Sequence, residues 1–228
     1  MNEIKLFSFP NLIAVIISPG ISDNLGEVSC PNLFRTALNN NEPLTACKTV
    51  CGAKNKPQVA TIFYRLLKPE YAAVTGNKAF KDVPADFWCA DAVNALATLG
   101  IVNGMTTDTF APNKAITRAQ FVAICARFAD AAMEGETFTD VPESYWAYDY
   151  ISTGSAYGWV NGVGGGKFDP NAPITRAQAV AIVNRMLCRI ADRATIDAVE
   201  EQFYHDVEDT HWAWYEVGEA SQGDLTRN

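Results

Sequence analysis

Apolar residues recur at helical spacing along much of this chain. Ala92, Val93, Leu96 and Leu99 form one such set, and Val122, Ile124, Cys125 and Phe128 another. Residues spaced three and four apart share one face of a helix. The first set predicts a helix from about Trp88 to Leu99, closed by Gly100, which suits the left-handed position just past a helix end. Gly158 closes an equivalent segment further on. A polar stretch, residues 101–115, follows the first helix and reads as a loop through Asn103-Gly104 and Pro112-Asn113. The second helix opens at Ile116-Thr117-Arg118-Ala119-Gln120. Thr117 is placed to cap it and Gln120 to reach back to the cap, while Ile116 can pack on Phe121. Val59 to Arg65 shows similar apolar spacing and predicts a closing helix over residues 57–68. Near the start, the apolar run 12–17 lies between Pro10 and Pro19. It reads as a buried strand, with a signal-peptide core as the alternative.

These patterns repeat. Phe80-Lys-Asp82-Val83-Pro84 recurs as Phe138-Thr-Asp140-Val141-Pro142 and, in part, as Tyr204-His-Asp206-Val207. Eight residues beyond each opening aromatic stands Trp88, Trp146 or Trp212. Gly100-Ile-Val102-Asn103-Gly104 returns as Gly158-Trp-Val160-Asn161-Gly162, and Phe110-Ala-Pro112-Asn113 as Phe168-Asp-Pro170-Asn171. Ile116 to Gln120 is repeated letter for letter by Ile174 to Gln178, with Thr175 and Gln178 as the second capping pair. Roughly 22 of 49 aligned positions are identical without a gap, too many for chance. A helix–loop–helix unit of this size cannot bury a core alone, so neighbouring units must pack together. Residues 56–79 read as the remnant closing helix of a degenerate copy, with Asn55 at the arginine position and Pro57 where the helix should begin. Complete copies follow at 80–137 and 138–203, the latter with a linker, and a truncated one at 204–228. Residues 1–55 match nothing in the repeat and stay unassigned.

Charge narrows the partners. The net charge of −8 argues against non-specific binding to nucleic acid or to an anionic membrane. Any anionic ligand must be met by locally placed arginines. No run of about 18 apolar residues could cross a membrane. Among the six cysteines, Cys89, Cys125 and Cys188 fall on apolar helical faces and read as buried small residues. Cys47 and Cys51 with Cys30 suggest a metal site or a disulfide, but the four-residue step is unlike a zinc knuckle and no histidine lies near, so no metal is expected.

The candidate site residues each carry two readings. Arg118 and Arg176 stand in the first helical turn, where the macrodipole disfavours a cation by roughly a few tenths of a kcal/mol. They either pair with a carboxylate of the next copy, such as Asp140 or Asp206, or receive an anionic ligand with the helix N-terminus. Trp88, Trp146 and Trp212 either fill the core or serve as flat platforms for sugar rings. Asp82, Asp140 and Asp206 either brace the turn ahead of proline or bind sugar hydroxyls. Gly104 and Gly162 serve the turn, or let a ligand approach the main chain.

The combination of Phe-x-Asp-Val, tryptophan, Gly-Ile-Val-x-Gly, Phe-x-Pro-Asn and Ile-Thr-Arg-Ala-Gln resembles the S-layer homology family over about residues 57–228. The resemblance implies an all-α fold, a pseudo-threefold bundle of tandem helix–loop–helix modules. It implies grooves that bind secondary cell-wall polysaccharide, a pyruvylated amino sugar in particular, with other S-layer subunits as further partners and a place outside the cell, at the wall or S-layer. It implies no catalysis, cofactor or membrane insertion. Carried over by position, the binding residues are Arg118, Arg176, Trp88, Trp146, Trp212, Asp82, Asp140, Asp206, Gly104 and Gly162. Gln120 and Gln178 replace the family's usual glutamate, and the loops at 105–110 and 163–168 depart from its pattern. One pairing then follows: Arg118 with Trp146, and Arg176 with Trp212. The rivals are a self-assembly module with degenerate grooves, the anchor fragment of a larger wall enzyme, and a truncated gene product. Residues 1–55 are short for a catalytic domain and hold no nucleophile–base pair.

Overall fold

The structure is a computed structural model that describes residues 55–74, 80–198 and 206–222. The apolar run at 12–17 and Cys30, Cys47 and Cys51 lie outside the described residues. Within these residues the fold is all-α, with eight helices and only isolated β-bridges.

The closing helices are α1 (Lys56–Leu66), α4 (Arg118–Ala126) and α6 (Arg176–Met186). All three start with the same device. Thr117 Oγ1 accepts the Gln120 amide at 3.2 Å, and Gln120 Oε1 accepts the Thr117 amide at 3.1 Å. Thr175 and Gln178 repeat this at 3.2 and 3.1 Å. Asn55 and Gln58 do the same for α1, at 3.2 and 3.3 Å. This corrects the register expected from the apolar spacing. Asn55 is the cap of α1, Lys56 holds the position of Arg118 and Arg176, and Pro57 sits in the first turn, where a missing N–H costs nothing.

The opening helices are α3 (Ala90–Thr98), α5 (Tyr148–Ala156) and α8 (Trp214–Gln222). Gly100 and Gly158 end α3 and α5 at φ +73° and +69°. The amides beyond them fold back, Ile101 onto the Leu96 carbonyl and Trp159 onto that of Gly154, satisfying carbonyls the helix end would strand. Two short helices, α2 (Pro69–Ala72) and α7 (Arg193–Asp197), pack against α3 and α8.

Each closing helix packs on the opening helix of the next copy: α1 on α3, α4 on α5, α6 on α8. The modules therefore interlock across their boundaries. The segments leading into the closing helices meet, through bridges from Asn55 to Ala115 and from Thr117 to Pro173. Phe63 of α1 stacks at 5.1 Å on Phe128 and lies 5.9 Å from Phe121 of α4, joining two pairs through the core. Gly154 of α5 lets α4 come close, since a Cβ there would meet a Val122 methyl at 3.1 Å.

The linker 130–137 is strapped along α5. Its amides at Ala131, Met133, Gly135 and Glu136 donate to the hydroxyls of Tyr157, Thr153, Ser152 and Ser155. The polar face of α5 thus gives the linker the partners that its extended backbone lacks. Cys89 and Cys125 are buried free thiols, as their positions predict. Cys188 is not a core residue: it follows the end of α6, exposed, at φ +51°, and is disulfide-bonded. Its apolar neighbours suggested helix continuation, but α6 ends first.

Candidate functional site: two equivalent grooves between copies

Two grooves open where one copy meets the next. The smaller, about 270 Å³, has Lys56, Asn103, Gly104, Met105, Arg127 and Trp146 on its walls. The larger, about 980 Å³, has Arg118, Asn161, Gly162, Val163, Arg185 and Trp212 at the equivalent places, and adds Arg176, Asp206 and His211. The same constellation is therefore built twice: a cation from the preceding closing helix, an Asn-Gly loop, an arginine at the end of the next closing helix, and a tryptophan.

The three motif tryptophans do not fill the core. Trp88, Trp146 and Trp212 are 61, 54 and 60% exposed. Each is propped by the ring before it, Phe87, Tyr145 or His211, at 5.7 to 6.1 Å. Trp146 and Trp212 share their grooves with an exposed apolar residue, Met105 or Val163. Trp88 lines neither groove. The tryptophans that do lie in the core are Trp159, stacked on Tyr157 at 4.7 Å, and Trp214.

The two motif arginines stand in different surroundings despite identical local sequence. Arg118 is 5% exposed and acts as a strut into the loop of the next copy. Its Nε donates to the Phe168 carbonyl at 2.9 Å, its Nη2 to that of Asn161 at 3.3 Å, and its guanidinium lies 4.6 Å over the Phe168 ring. Lys56 repeats this one copy earlier, donating to the Phe110 carbonyl at 3.4 Å beside that ring. Burial pushes both pKa values down, partly opposed by Asp169 and Asp140 at Arg118 and by Asp82 at Lys56. Arg176, with a side chain 34% exposed, pairs with Asp206 at 3.6 Å. The carboxylate-partner reading thus describes Arg176, and Arg118 is held by carbonyls instead. Arg176 shares a groove with Trp212 as paired from the sequence. Arg118 lines that groove too, while Trp146 stands with Lys56 and Arg127.

Asp82 and Asp140 are occupied. Asp82 accepts the amides of Phe110 and Ala111 at 2.8 and 2.7 Å, and Asp140 those of Phe168 and Asp169, both at 2.8 Å. Ala111 and Asp169 sit at φ +62° and +58°, a left-handed conformation costing a non-glycine residue about 1–2 kcal/mol. The aspartates hold the loop in that shape. Burial raises their pKa, but the paired amides more than reverse this and leave both below the ordinary value. Gly104 and Gly162 pack flat on the opening aromatic. A Cβ would lie 2.6 Å from the Phe80 ring or 2.9 Å from the Phe138 ring.

Sequence reasoning passed over Arg127 and Arg185. Arg127 donates to the Ile101 carbonyl at 2.8 Å and lies 5.1 Å over the Tyr150 ring. Arg185 donates to the Trp159 carbonyl at 3.4 Å and pairs with Glu216 at 3.6 Å. Their signal was present, since both copies keep an arginine at the end of the closing helix, where the macrodipole favours a cation.

Comparison with known proteins agrees with this architecture. The S-layer homology domain matches residues 79–122 and 137–180. The chain belongs to the S-layer homology domain family, with at least two repeats. It is 31% identical over 172 residues to a cellulosome-anchoring protein of Acetivibrio thermocellus, a match covering 72% of the chain and 37% of that relative. It is 32% identical to a surface-layer 125 kDa protein of Lysinibacillus sphaericus, over 64% of the chain and 13% of the relative. An amylopullulanase of Thermoanaerobacterium thermosulfurigenes is 32% identical over 97% of the chain, but only 12% of that enzyme is covered. The chain thus spans from about an eighth to somewhat over a third of these relatives, and what it shares with them is a module of cell-surface and S-layer proteins.

Proposed function

We propose that this chain is a non-catalytic anchoring module. Its two inter-copy grooves hold an acidic secondary cell-wall polysaccharide, a polymer with a pyruvylated amino sugar, and so attach an S-layer or other surface protein to the bacterial wall. The observation that carries this is the doubling of one constellation, an exposed tryptophan that lines a groove together with an arginine and an Asn-Gly loop, on equivalent residues. A structural residue would be buried; a half-exposed indole beside a cation suits the apolar face and carboxylate of an acidic sugar. Relatives named for cellulosome anchoring and for surface layers support the same reading. On this reading residues 56–79 are the remnant of an earlier copy, 80–137 and 138–203 are full copies, and 204–228 is a partial one.

The test is calorimetric titration with purified pyruvylated wall polysaccharide, wild type beside the double variant Trp146→Ala, Trp212→Ala. Both indoles are exposed, so the variant keeps its fold. Binding by the wild type and its loss in the variant is the expected result. A folded wild type that ignores the polymer, or a variant that binds as well, overturns the proposal.

A further inference from the structure

The two grooves are equivalent in backbone but differ in how their cations are paired. Resting on the polysaccharide reading above, we infer that the Trp146 groove is the anion-selective subsite, with Arg127 as the residue that recognises the carboxylate of an acidic sugar, while the Trp212 groove takes the uncharged part of the polymer. The walls of the Trp146 groove include two cations, Lys56 and Arg127, and no carboxylate. In a chain of net charge −8 that is a local reversal of the surface field. Lys56 is spent on the Phe110 carbonyl. Arg127 is held from behind by the Ile101 carbonyl and by the Tyr150 ring. With the Asn103 amide turned so that both its ends are satisfied, Arg127 Nη2 also donates to its oxygen at 3.2 Å. Two of the five guanidinium N–H groups are then used among the described residues, and the remainder are available to a ligand in the groove. A planar cation fixed in this way matches a carboxylate with little loss of freedom on binding.

The Trp212 groove has three arginines on its walls, and each already has a partner: Arg118 is held by the Phe168 and Asn161 carbonyls, and the other two by carboxylates. Aligned on the tryptophans, Tyr150 of the second copy corresponds to Glu216 of the third. The ring that props Arg127 is replaced by a carboxylate that pairs with Arg185 at 3.6 Å. Arg176, the other exposed cation of that groove, is paired with Asp206 at 3.6 Å. An incoming anion would have to displace a charge already in place. The larger volume, about 980 Å³ against 270 Å³, suits a longer uncharged stretch of polymer.

The experiment compares pyruvylated wall polysaccharide with the same polymer stripped of its pyruvate ketals by mild acid. Wild type, Arg127→Gln, Arg127→Lys, Tyr150→Glu, Arg185→Gln and Glu216→Gln are titrated against both. Arg127→Gln is expected to weaken binding of the pyruvylated polymer by roughly 10- to 100-fold, the worth of charge-assisted hydrogen bonds. Binding of the stripped polymer should barely change, and Arg127→Lys should recover part of the loss. Tyr150→Glu, which copies the third-copy residue into the first groove, should reproduce the loss without removing the arginine. Arg185→Gln should cost less than Arg127→Gln, and Glu216→Gln, which can still accept the Asn184 amide, should raise preference for the pyruvylated polymer. Equal losses on both polymers would assign Arg127 a purely structural role and overturn the inference, as would equal effects of the Arg127 and Arg185 variants. Should the wild type bind neither polymer, the anchoring proposal fails by itself. The inference is then decided by the guanidinium Nε–H resonances of Arg127 and Arg185 on titration with free pyruvate: selective response of Arg127 sustains it, and equal or absent response ends it.

Discussion

At the scale of single residues, the loops that wall the grooves are held by a few contacts. Asp140 ties down two amides, and one of them belongs to a residue in the left-handed region. Asp140→Ala should lower stability by about 1 kcal/mol, a figure reduced for solvent screening of a half-buried carboxylate, measurable by urea denaturation. The pH dependence has a definite sign. Because folding depresses the pKa of Asp82 and Asp140, their contribution is complete above the unfolded value of about 3.9 and is lost as pH falls through the lower folded value. The wild type should therefore lose stability below about pH 4 more steeply than the double variant Asp82→Asn, Asp140→Asn. Gly104 is constrained by space rather than by φ. Gly104→Ala would drive a methyl to 2.6 Å from the Phe80 ring and against two carbonyl oxygens of its own loop, an overpacking cost of about 1–3 kcal/mol, read as a drop in the melting temperature.

At the scale of elements, the caps were legible in the sequence and the partners of the helices were not. Thr117 and Gln120 announce a helix start because the hydrogen bonds of a capping box are local, made within four residues. Thr117→Ala and Thr175→Ala should each cost about 1 kcal/mol, and serine at either place should restore most of it. Apolar spacing proved a weaker guide in α1, where buried positions run almost all the way round the helix. A one-residue slip barely changes such a pattern. Matching Val59 to Val122 hid the fact that Lys56 holds the arginine position; the Asn55–Gln58 box sets the register. The different fates of Arg118 and Arg176 were beyond local reading altogether. Their helices begin with the same letters, but the group each side chain meets comes from the next copy, as Phe168 and Asn161 for one and Asp206 for the other. Arg127 was overlooked for a related reason. Its neighbours Ile101, Asn103 and Tyr150 lie across a loop and a helix, so only their assembly marks a site.

At the scale of the whole molecule, the interlocking decides how stability is shared. Neither full copy owns a complete helix pair, because α4 packs on α5 and α6 on α8. Unfolding one copy would strip the apolar face from a helix of its neighbour, so local melting is coupled to global melting. The copies should then unfold in one cooperative transition, because the interfaces between neighbours carry much of the stability of each. The five tryptophans make this measurable. In the variant Trp88→Phe, Trp146→Phe, Trp212→Phe the exposed indoles are gone and two buried ones remain, Trp159 in the second copy and Trp214 in the third. Their fluorescence should change with the same urea midpoint as the far-ultraviolet dichroism, which reports on all helices together. A fluorescence midpoint displaced from the dichroism midpoint would mean that the pairs melt separately. The grooves would then open one at a time, and the walls that hold Arg127 and Trp146 would owe their order to their own copy rather than to the assembly.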